Sequence, residues 1–438
     1  MKILFCQGSQ RLKDGSLLKV KKMTIPGLTL PYLAAIVGKG HEVILQNEML
    51  EELDFDGDYD LVGITTMGGS INRSLEIADE FKKRGKTVIM GGVPITNLPE
   101  VAIGRCDAIV RGEAELVWEK LVEDLQKGQL QEVYEAEDFC DLKTIPTPRY
   151  ELLDMKNYSS VLPVQATRGC SQTCSFCSLT PIYRGKFRIR TPEDVIEDIK
   201  LVKKMGYKRM LFVDDNIVAN KKFARQLFKM MIPLKMQWFG QASLTSLGDE
   251  EFVELMAKSG CSMLSIGFET IDQKALKSIN KKANVVEKYE EKIKVLKKFG
   301  IHINAFLIFG FDEHDSSIFD TTYNYFMKIG VSLPELFILV PPPGTPVFKE
   351  FNEAGRLLHK DWDNYKVSEV VFQPSQMSPE ELSEGYWRTY DRFYSIPSII
   401  KRMFRRRTRG ILFNIYMLKV NLNYRRVVRK ERRHPSLV

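Results

Sequence analysis

The feature that most constrains this chain is a set of three cysteines in the spacing C-x3-C-x2-C. Cys170, Cys174 and Cys177 lie within one short polar stretch that follows an apolar run. Thiolates are the usual ligands of iron–sulfur clusters, and three of them on a four-iron cluster leave one iron open to bind and activate a substrate. A structural zinc ion would normally take a fourth Cys or His, and none lies nearby. The alternative is three structural thiols that happen to be close.

This spacing resembles the signature of the radical S-adenosylmethionine (SAM) superfamily. Phe176, directly before the last cysteine, matches the family's aromatic position beside the adenine of SAM. The resemblance implies a 4Fe–4S cluster whose open iron chelates the methionine amino and carboxylate groups of SAM. It also implies that an electron from the cluster cleaves SAM to a 5′-deoxyadenosyl radical.

The composition describes an ordinary folded protein of two or three domains, with 44% hydrophobic and 27% charged residues in 438. Four further cysteines lie among apolar neighbours, which predicts buried thiols rather than disulfides: Cys6, Cys106, Cys140 and Cys261. The first residues are too short an apolar run for a signal peptide, and no run of about 18 apolar residues occurs. The sequence therefore predicts a cytoplasmic protein.

Residues 1–130 alternate short apolar runs with stretches of helical periodicity. The predicted strands are 2–6, 42–46, 61–65, 87–90 and 108–110, with helices at 30–39 and 71–84. This alternation indicates an α/β fold, a doubly wound parallel sheet of Rossmann type that binds ligands beyond the carboxyl ends of its strands. Glycines and small polar residues gather at those ends, and none fits the G-x-G-x-x-G dinucleotide pattern.

The layout resembles the N-terminal cobalamin-binding domain that precedes some radical SAM cores. The stretches 26–33, 91–92 and 111–115 match its usual landmarks. The resemblance implies cobalamin contacts at the strand ends, from Thr65, Gly91, Gly92, Gly112 and Glu113. The D-x-H-x-x-G motif that supplies a histidine to cobalt in some cobalamin enzymes is absent, and His41 sits in a predicted surface turn. The alternative is a degenerate domain that no longer binds cobalamin.

Residues 131–160 contain two prolines and little periodicity, which predicts a linker. A second βα alternation follows over 161–350, and resembles the partial (β/α)6 barrel of radical SAM enzymes. Its predicted strands are 162–167, 209–214, 237–243, 262–268, 302–309 and 335–340, with helices such as 192–205, 248–258 and 283–298. Functional residues of such folds lie at the carboxyl ends of the strands.

Polar residues and glycines at those strand ends are the candidates for contact with SAM. Asp214 or Asp215 can hydrogen-bond the amino group, and Gln241 or Ser243 can serve the carboxylate. The remaining candidates are Glu269, whose carboxylate suits the paired ribose hydroxyls, and Gly310, which would let the backbone pass under the adenine. The alternative for the two aspartates is that they cap the helix beginning near Asn220.

Residues 351–438 predict a helical extension with a basic tail, and resemble the extension of a subgroup that includes hopanoid methylases. Ser378 and Pro379 are expected as N-cap and first residue of a helix. Residues 401–438 hold thirteen Lys/Arg and one acid. Between Ile396 and Tyr424 apolar residues recur at roughly helical spacing, so the tail can form a basic amphipathic helix that lies on an anionic membrane at the inner face. The alternative is that its apolar face packs on the barrel.

The resemblance implies a cobalamin-dependent radical SAM enzyme that methylates an unactivated carbon of a small or lipid-like substrate. A carbon radical cannot readily take the electrophilic methyl group of SAM, whereas cobalamin can offer a methyl group as a radical equivalent. Related architectures catalyse ring formation or carbon–carbon coupling, and these remain alternatives. An electron donor such as flavodoxin or ferredoxin is an expected partner.

Two further classes are less well supported by the residues. A tRNA methylthiotransferase would carry three N-terminal cysteines, whereas residues 1–130 hold only Cys6 and Cys106. The aromatic residues of the basic tail form no recognisable RNA-binding module, so a nucleic-acid partner is not expected. A redox or light sensor would carry an appended output domain, and the sequence shows no such module.

Overall fold

The structure, a computed structural model, describes residues 1–158, 161–404 and 411–435. It contains two parallel sheets of six strands each and a two-stranded antiparallel ribbon. The two sheets follow one another along the chain, and a helical extension follows the second.

The first sheet has the strand order β2-β1-β3-β4-β5-β6, with every neighbouring pair parallel. Its strands are β1 (Lys2–Gln7), β2 (Glu42–Asn47), β3 (Leu61–Thr65), β4 (Val88–Gly91), β5 (Ala108–Arg111) and β6 (Val133–Glu135). Its helices are α1 (Thr29–Val37), α2 (Ile71–Lys83), α3 (Val93–Asn97) and α4 (Trp118–Gln126). The strand order reverses between β1 and β3, the point at which doubly wound sheets bind ligands.

Alternating side chains of these strands build a separate core on each face of the sheet. Leu4 and Val62 pack on the side that α2 covers with Phe81. Phe5 and the adjacent strands pack on the other side, which α1 and α4 cover, and Phe5 meets the Trp118 ring at 5.5 Å between centroids. Both faces are therefore buried, as a parallel sheet requires.

Strand β6 corrects the predicted linker over 131–160. Its three residues pair with β5 through Val133, Tyr134 and Glu135, and the Tyr134 side chain is buried. A strand this short has no detectable period in the sequence, so the first sheet extends past residue 130.

The second sheet has the order β7-β10-β11-β12-β13-β14, again all parallel. Its strands and the ribbon are β7 (Val161–Val164), β8 (Thr167–Gly169), β9 (Phe187–Ile189), β10 (Arg209–Phe212), β11 (Gln237–Ala242), β12 (Cys261–Glu269), β13 (His302–Phe309) and β14 (Leu333–Ile338). The helices are α5 (Leu179–Tyr183), α6 (Pro192–Lys204), α7 (Lys221–Met231), α8 (Glu250–Lys258), α9 (Gln273–Ser278), α10 (Tyr289–Lys298), α11 (Ile318–Ile329) and α12 (Pro346–Glu353). Strands β7 and β14 lie at opposite edges, so this is an open barrel of six βα units.

The outer face of the barrel packs against its helices through large aromatic residues. Trp238 on β11 is fully buried, stacks on Phe228 of α7 at 5.1 Å and donates its ring N–H to Ser259 Oγ at 3.0 Å. The inner face is more open, because Met263, Ser265 and Gly267 on β12 are all partly exposed. The inner face of the barrel therefore remains partly accessible to small molecules.

The extension consists of α13 (Pro379–Phe393), α14 (Ile396–Phe404), α15 (Ile411–Arg426) and a π-helical turn over Val427–Glu431. Ser378 caps α13 in a capping box with Glu381, and Pro379 is its first residue, as expected. Tyr386 donates to the carbonyl of Leu336 at 3.1 Å, and Tyr390 accepts from its N–H at 2.9 Å. Helix α13 therefore satisfies backbone groups of the edge strand β14, which an uncovered sheet edge would leave unpaired.

Helix α15 closes the end of the barrel where the strands begin. The Phe413 ring lies 4.9 Å from that of His302, and Tyr424 donates to Glu335 at 2.8 Å. The described part of the tail thus packs on the barrel, the alternative that the sequence had left open. Part of the predicted helix, 405–410, lies outside the described residues. Among the residues that the structure describes, no helix has both the length and the apolar character needed to cross a bilayer.

Candidate active site

A cavity of about 620 Å³ lies between the carboxyl edge of the first sheet and the mouth of the barrel. Its first wall contains all five residues predicted to meet cobalamin: Thr65, Gly91, Gly92, Gly112 and Glu113. Its second wall comes from the barrel, including Gln165, Arg168, Tyr183 and Val213. The strand ends of both sheets therefore face one shared space.

Glycine shapes the first wall at its tightest point. Gly92 has a φ of 108°, and a Cβ there would overlap the carbonyl oxygen of Thr66. Only glycine adopts this backbone readily and leaves room for it. The wall consequently offers a bare backbone surface, which a large flat ligand can approach closely.

Two buried polar atoms in this wall lack a hydrogen-bond partner among the described residues. They are Thr66 Oγ1 and Trp118 Nε1, and both residues line the cavity. A buried donor or acceptor left unpaired costs about 1–3 kcal/mol, so a ligand with polar groups at its rim would relieve that cost. The wall fits a ligand of cobalamin's type in shape and polarity.

The three predicted cysteine ligands share the loop between β8 and α5. Cys174 is buried, while Cys170 and Cys177 are partly exposed. Burial raises the pKa of the Cys174 thiol to about 12, the nearby Lys281 ammonium opposes this shift, and the Cys170 and Cys177 thiols add to it. Because ligand thiols must lose their protons, iron binding here is coupled to proton release.

Neighbouring loops hold the backbone of the cysteine loop in place. Ser175 donates its N–H to the carbonyl of Ile279 at 3.0 Å, and Asn280 Nδ2 donates to the carbonyl of Thr173 at 3.0 Å. On its other side, Val347 donates to the carbonyl of Ser175 at 3.2 Å. The loop is thus fixed from both sides by segments that follow α9 and β14.

The two aspartates after β10 fix the segment that leads into the cysteine loop. Asp214 accepts from the N–H of Ala166 at 3.0 Å and from that of Thr167, and Asp215 accepts from the N–H of Gly169 at 3.1 Å. Burial raises the pKa of Asp214 to about 7 and also raises that of Asp215.

The helix-capping alternative for these aspartates is wrong. The N-cap of α7 is Asn220, whose side chain accepts from the N–H of Phe223 at 3.1 Å. Asp214 and Asp215 lie several residues earlier and use their carboxylates on the cysteine segment instead.

Glu269 lies at the end of β12 in a buried ion pair with Lys281, with a left-handed φ of 63°. Lys281 was missed by the sequence analysis, because a lysine in an irregular loop after α9 looks like any solvated cation. Burial lowers the pKa of Lys281, but Glu269 and the thiols of Cys174 and Cys177 outweigh burial and raise it. The pair places a fixed cation and a fixed carboxylate beside the cysteine loop.

Comparison with known proteins gives the family. Residues 164–324 match the Radical SAM superfamily. The chain is 34% identical over 386 residues to the bacteriochlorophyllide d C-12(1)-methyltransferase of Chlorobaculum tepidum, covering 86% of this chain and 84% of that protein. The bacteriochlorophyllide d C-8(2)-methyltransferase of the same organism is 30% identical over 392 residues, covering 86% of this chain and 87% of that protein.

The chain belongs to the radical SAM superfamily. It is an enzyme of that superfamily, akin to members named as methyltransferases. A solved structure of the radical SAM methyltransferase TsrM from Kitasatospora setae, with cobalamin and a 4Fe–4S cluster bound, has the same fold. The two superpose with a TM-score of 0.66 at 16% identity, over 88% of this chain and 85% of that chain.

Membership of the radical SAM superfamily explains why the cysteine loop carries three thiols. A radical SAM enzyme uses a 4Fe–4S cluster and SAM, and three soft thiolate donors on one short loop fit such a cluster. Cys170, Cys174 and Cys177 would hold it, which leaves one iron for SAM. The cluster, when bound, supplies the electron that cleaves SAM.

The remaining residues predicted to contact SAM lie around the mouth of the barrel. Gln241 is exposed on the inner face of β11, and Ser243 accepts from Asn216 Nδ2 at 3.1 Å. The Phe176 ring lies 6.0 Å from that of Phe311, just after Gly310. At Gly310, φ is 102° and the space for a Cβ is filled by Phe372 and Leu382, so this glycine also lets the extension pack.

His41 lies away from the cavity of the radical SAM enzyme. It sits directly before β2, at the end of the first sheet opposite the strand ends that line the cavity, and its Nδ1 is 3.4 Å from the N-terminal amine. This position agrees with the predicted surface turn.

Proposed function

We propose that this radical SAM enzyme is a cobalamin-dependent methyltransferase that methylates a carbon atom of a small or lipid-like substrate. The observation that carries the proposal is the shared cavity, because it brings the glycine-lined edge close to Arg168 and Ser178, which flank the cysteine loop. A methyl donor and a radical source must both reach one carbon atom, and this arrangement permits it.

Cobalamin, when bound, supplies a methyl group to a carbon radical. The residues proposed to hold it are Thr65, Gly91, Gly92 and Gly112, through their backbone and close packing. The α1 side of the cavity adds Leu28, Tyr32 and Leu33. Much of this lining is apolar, so it would exclude water from a reactive radical.

The residues proposed to bind SAM act mainly through charged and polar side chains, whereas those proposed to bind cobalamin act through the shape of the wall. Asp215 and Glu269 offer carboxylates for the amino group and the ribose hydroxyls, and Lys281 adds a cation for the SAM carboxylate. Gln241 and Ser243 are neutral partners at the neighbouring strand end, and Phe176 faces the adenine. Fixed charges in a buried site orient a ligand with little reorganisation.

The test is an anaerobic reaction of the enzyme reconstituted with iron, sulfide and hydroxocobalamin, with SAM bearing a deuterated methyl group and a low-potential reductant. Bacteriochlorophyllides, the substrates named for the relatives, are the first class to test. We expect a product that carries the labelled methyl group, formed together with 5′-deoxyadenosine. A product that lacks the label and has lost two hydrogens would instead establish ring formation or coupling.

The electron that reduces the cluster must come from outside the chain. We propose a small flavodoxin or ferredoxin as donor. The expected result is that reduced flavodoxin replaces the chemical reductant in 5′-deoxyadenosine formation, whereas NADPH alone does not.

Membrane contact is a second element of the proposal, supported by α15. Its side chains Ile415, Leu418 and Leu422 are 46%, 39% and 42% exposed, and they share one helix face. Lys419 and Arg426 border that face. An exposed apolar stripe with a basic border suits an anionic bilayer surface.

Vesicle sedimentation tests this contact on the full chain. We expect salt-sensitive binding to anionic vesicles that is lost in Leu418→Glu with Leu422→Glu. The matched control is Leu358→Glu, because Leu358 is 50% exposed elsewhere on the surface. Equal binding by all three proteins, or none by the unaltered enzyme at low salt, would refute the contact.

A further inference from the structure

The ribbon that leads into the cysteine loop carries two arginines directly opposite one another. Arg168 on β8 pairs in register with Arg188 on β9, and Cys170 follows Arg168 by two residues. Like charges facing each other across a ladder destabilise it. The barrel segment therefore needs negative charge from elsewhere to form this ribbon.

That charge comes from the first sheet. Glu113, in the loop after β5, accepts from Arg168 Nη1 at 2.9 Å and from Arg188 Nη2 at 2.6 Å. Glu115 accepts from the same Arg168 nitrogen at 2.6 Å and from the Tyr32 hydroxyl at 2.9 Å. One chain of contacts thus runs from α1 to the stem of the cysteine loop.

These groups are held tightly. The side chains of Arg168 and Glu113 are only 10% and 6% exposed. Burial raises the pKa of Glu113, but its bonds with Arg188 and Arg168 outweigh burial and hold that pKa at about 2. The N–H of Cys140, from the segment between the two sheets, donates to the second Glu113 oxygen at 2.7 Å.

The same residues also form part of the cavity wall. Tyr32, Glu113, Glu115 and Arg168 all line the space proposed for cobalamin. Buried ion pairs add little net stability, since desolvation offsets their attraction, and where they are retained they can fix a specific arrangement. A network that touches the cavity at one end and the cysteine loop at the other is placed to fix the distance between two ligands.

We propose that Glu113, Glu115, Arg168 and Arg188 form a positioning clamp that sets where the cobalamin wall lies relative to the cluster and its SAM. Glu113 then acts through the two arginines, not as a ligand of cobalamin. The inference rests on the proposed function for the identity of the two cofactors. The hydrogen bonds and ion pairs of the clamp involve protein residues only, so they do not depend on which cofactors bind.

The decisive experiment compares Glu113→Gln with the double variant Glu113→Gln, Arg188→Gln. The single variant leaves the two facing arginines with Glu115 as their only carboxylate. The double variant leaves one arginine, Arg168, with one carboxylate, Glu115, so the charges balance again. Hydrogen exchange at residues 167–177, measured without cobalamin, should rise in the single variant and return toward the unaltered level in the double variant. Equal exchange in all three proteins would overturn the clamp.

A second readout uses the two products of SAM in the reconstituted enzyme. Methyl transfer to cobalamin leaves S-adenosylhomocysteine, whereas radical cleavage leaves 5′-deoxyadenosine. Small misplacements of reacting groups cost up to about 100-fold in rate. We therefore expect the ratio of S-adenosylhomocysteine to 5′-deoxyadenosine to fall at least about tenfold in Glu113→Gln and to recover in the double variant.

The outcomes separate the two proposals. If the unaltered enzyme forms no S-adenosylhomocysteine, the proposed function fails, while hydrogen exchange still decides the clamp. If the single variant loses cobalamin affinity and Arg188→Gln does not restore it, Glu113 is a direct ligand and the clamp is wrong. Arg73→Gln is the matched control, because Arg73 also bridges two carboxylates, Glu48 and Glu76, but within the first sheet's own segment. It should change neither readout.

Discussion

The carboxyl edge of the first sheet and the mouth of the barrel carry different chemistry. The edge of the first sheet offers glycine backbone, threonines and apolar side chains. The mouth of the barrel offers three thiols and a set of buried charges, among them Asp214, Glu269 and Lys281. The first edge is therefore suited to binding a ligand by shape, and the barrel mouth to binding by ligation and charge.

This difference follows from what each ligand requires. An iron–sulfur cluster needs specific donor atoms, which only cysteine supplies in such a loop. A large flat ligand needs space and close approach, which many sequences can supply with glycine and apolar residues. The two edges should therefore respond differently to single substitutions, and this contrast can be tested.

The largest expected effect is at the cysteine loop. Replacing Cys170, Cys174 or Cys177 with Ala should abolish both the brown absorbance of the cluster and 5′-deoxyadenosine formation, because each thiolate would hold one iron of the cluster. Cys140→Ala is the control, since its thiol lies outside the cysteine loop and makes only long contacts with Arg168 and Arg188, at 3.7 Å and 3.9 Å. Its backbone N–H, which donates to Glu113, is kept in the variant. A cluster that survives Cys174→Ala but is lost in Cys140→Ala would overturn the assignment.

The next effect is at the shape-recognising edge. Gly92→Ala should weaken cobalamin binding in equilibrium dialysis while the cluster absorbance remains, since its Cβ overlaps the Thr66 carbonyl oxygen. Gly85→Ala is the matched control, because Gly85 also has a positive φ of 71° but open space around it. Gly85→Ala carries backbone strain of about 1–2 kcal/mol. Gly92→Ala carries about 1–3 kcal/mol, because its φ of 108° and ψ of 173° lie in a region almost confined to glycine. Since both variants are strained, a loss of affinity confined to Gly92→Ala comes from the tight turn at the cavity. Equal affinity in the two would show that the tight turn does not shape the site.

The sequence predicted the strands and the cysteine loop well, but it did not predict the contacts between distant segments. Periodicity located the strands closely, for example 61–65 and 302–309, because buried parallel strands are continuous apolar runs. Cysteine spacing pointed directly to three candidate cluster ligands. It could not show that Glu113 meets two arginines some 55 and 75 residues away, nor that Lys281 turns inward, because both depend on tertiary contacts between distant segments.

A smaller effect is expected at the charged pair of the barrel mouth. Removing one partner of a buried ion pair costs about 3–5 kcal/mol, so Lys281→Met should lower the free energy of unfolding by that amount. Adding Glu269→Gln should restore much of the stability without restoring SAM cleavage. Lys328→Met is the control, because its pair with Glu290 is exposed to solvent and should contribute little to stability. Full SAM cleavage by the double variant would show that the pair serves folding alone.

The smallest effect concerns the pH dependence of stability through Asp214. Burial raises its pKa from 3.8 in the unfolded chain to about 7 in the folded protein. Between those values the folded state holds more protons than the unfolded state, so the contribution of Asp214 to stability falls as pH rises through this window.

Asp214→Asn keeps an acceptor for the amides of Ala166 and Thr167 but does not titrate. Urea unfolding of the cluster-free proteins should therefore show the unaltered protein losing stability relative to Asp214→Asn from about pH 4 to pH 7, by at most ~1.4 kcal/mol per pH unit. A relative gain with rising pH would mean that the two amides hold Asp214 as a carboxylate, and that hydrogen bonding outweighs burial at the stem of the cysteine loop.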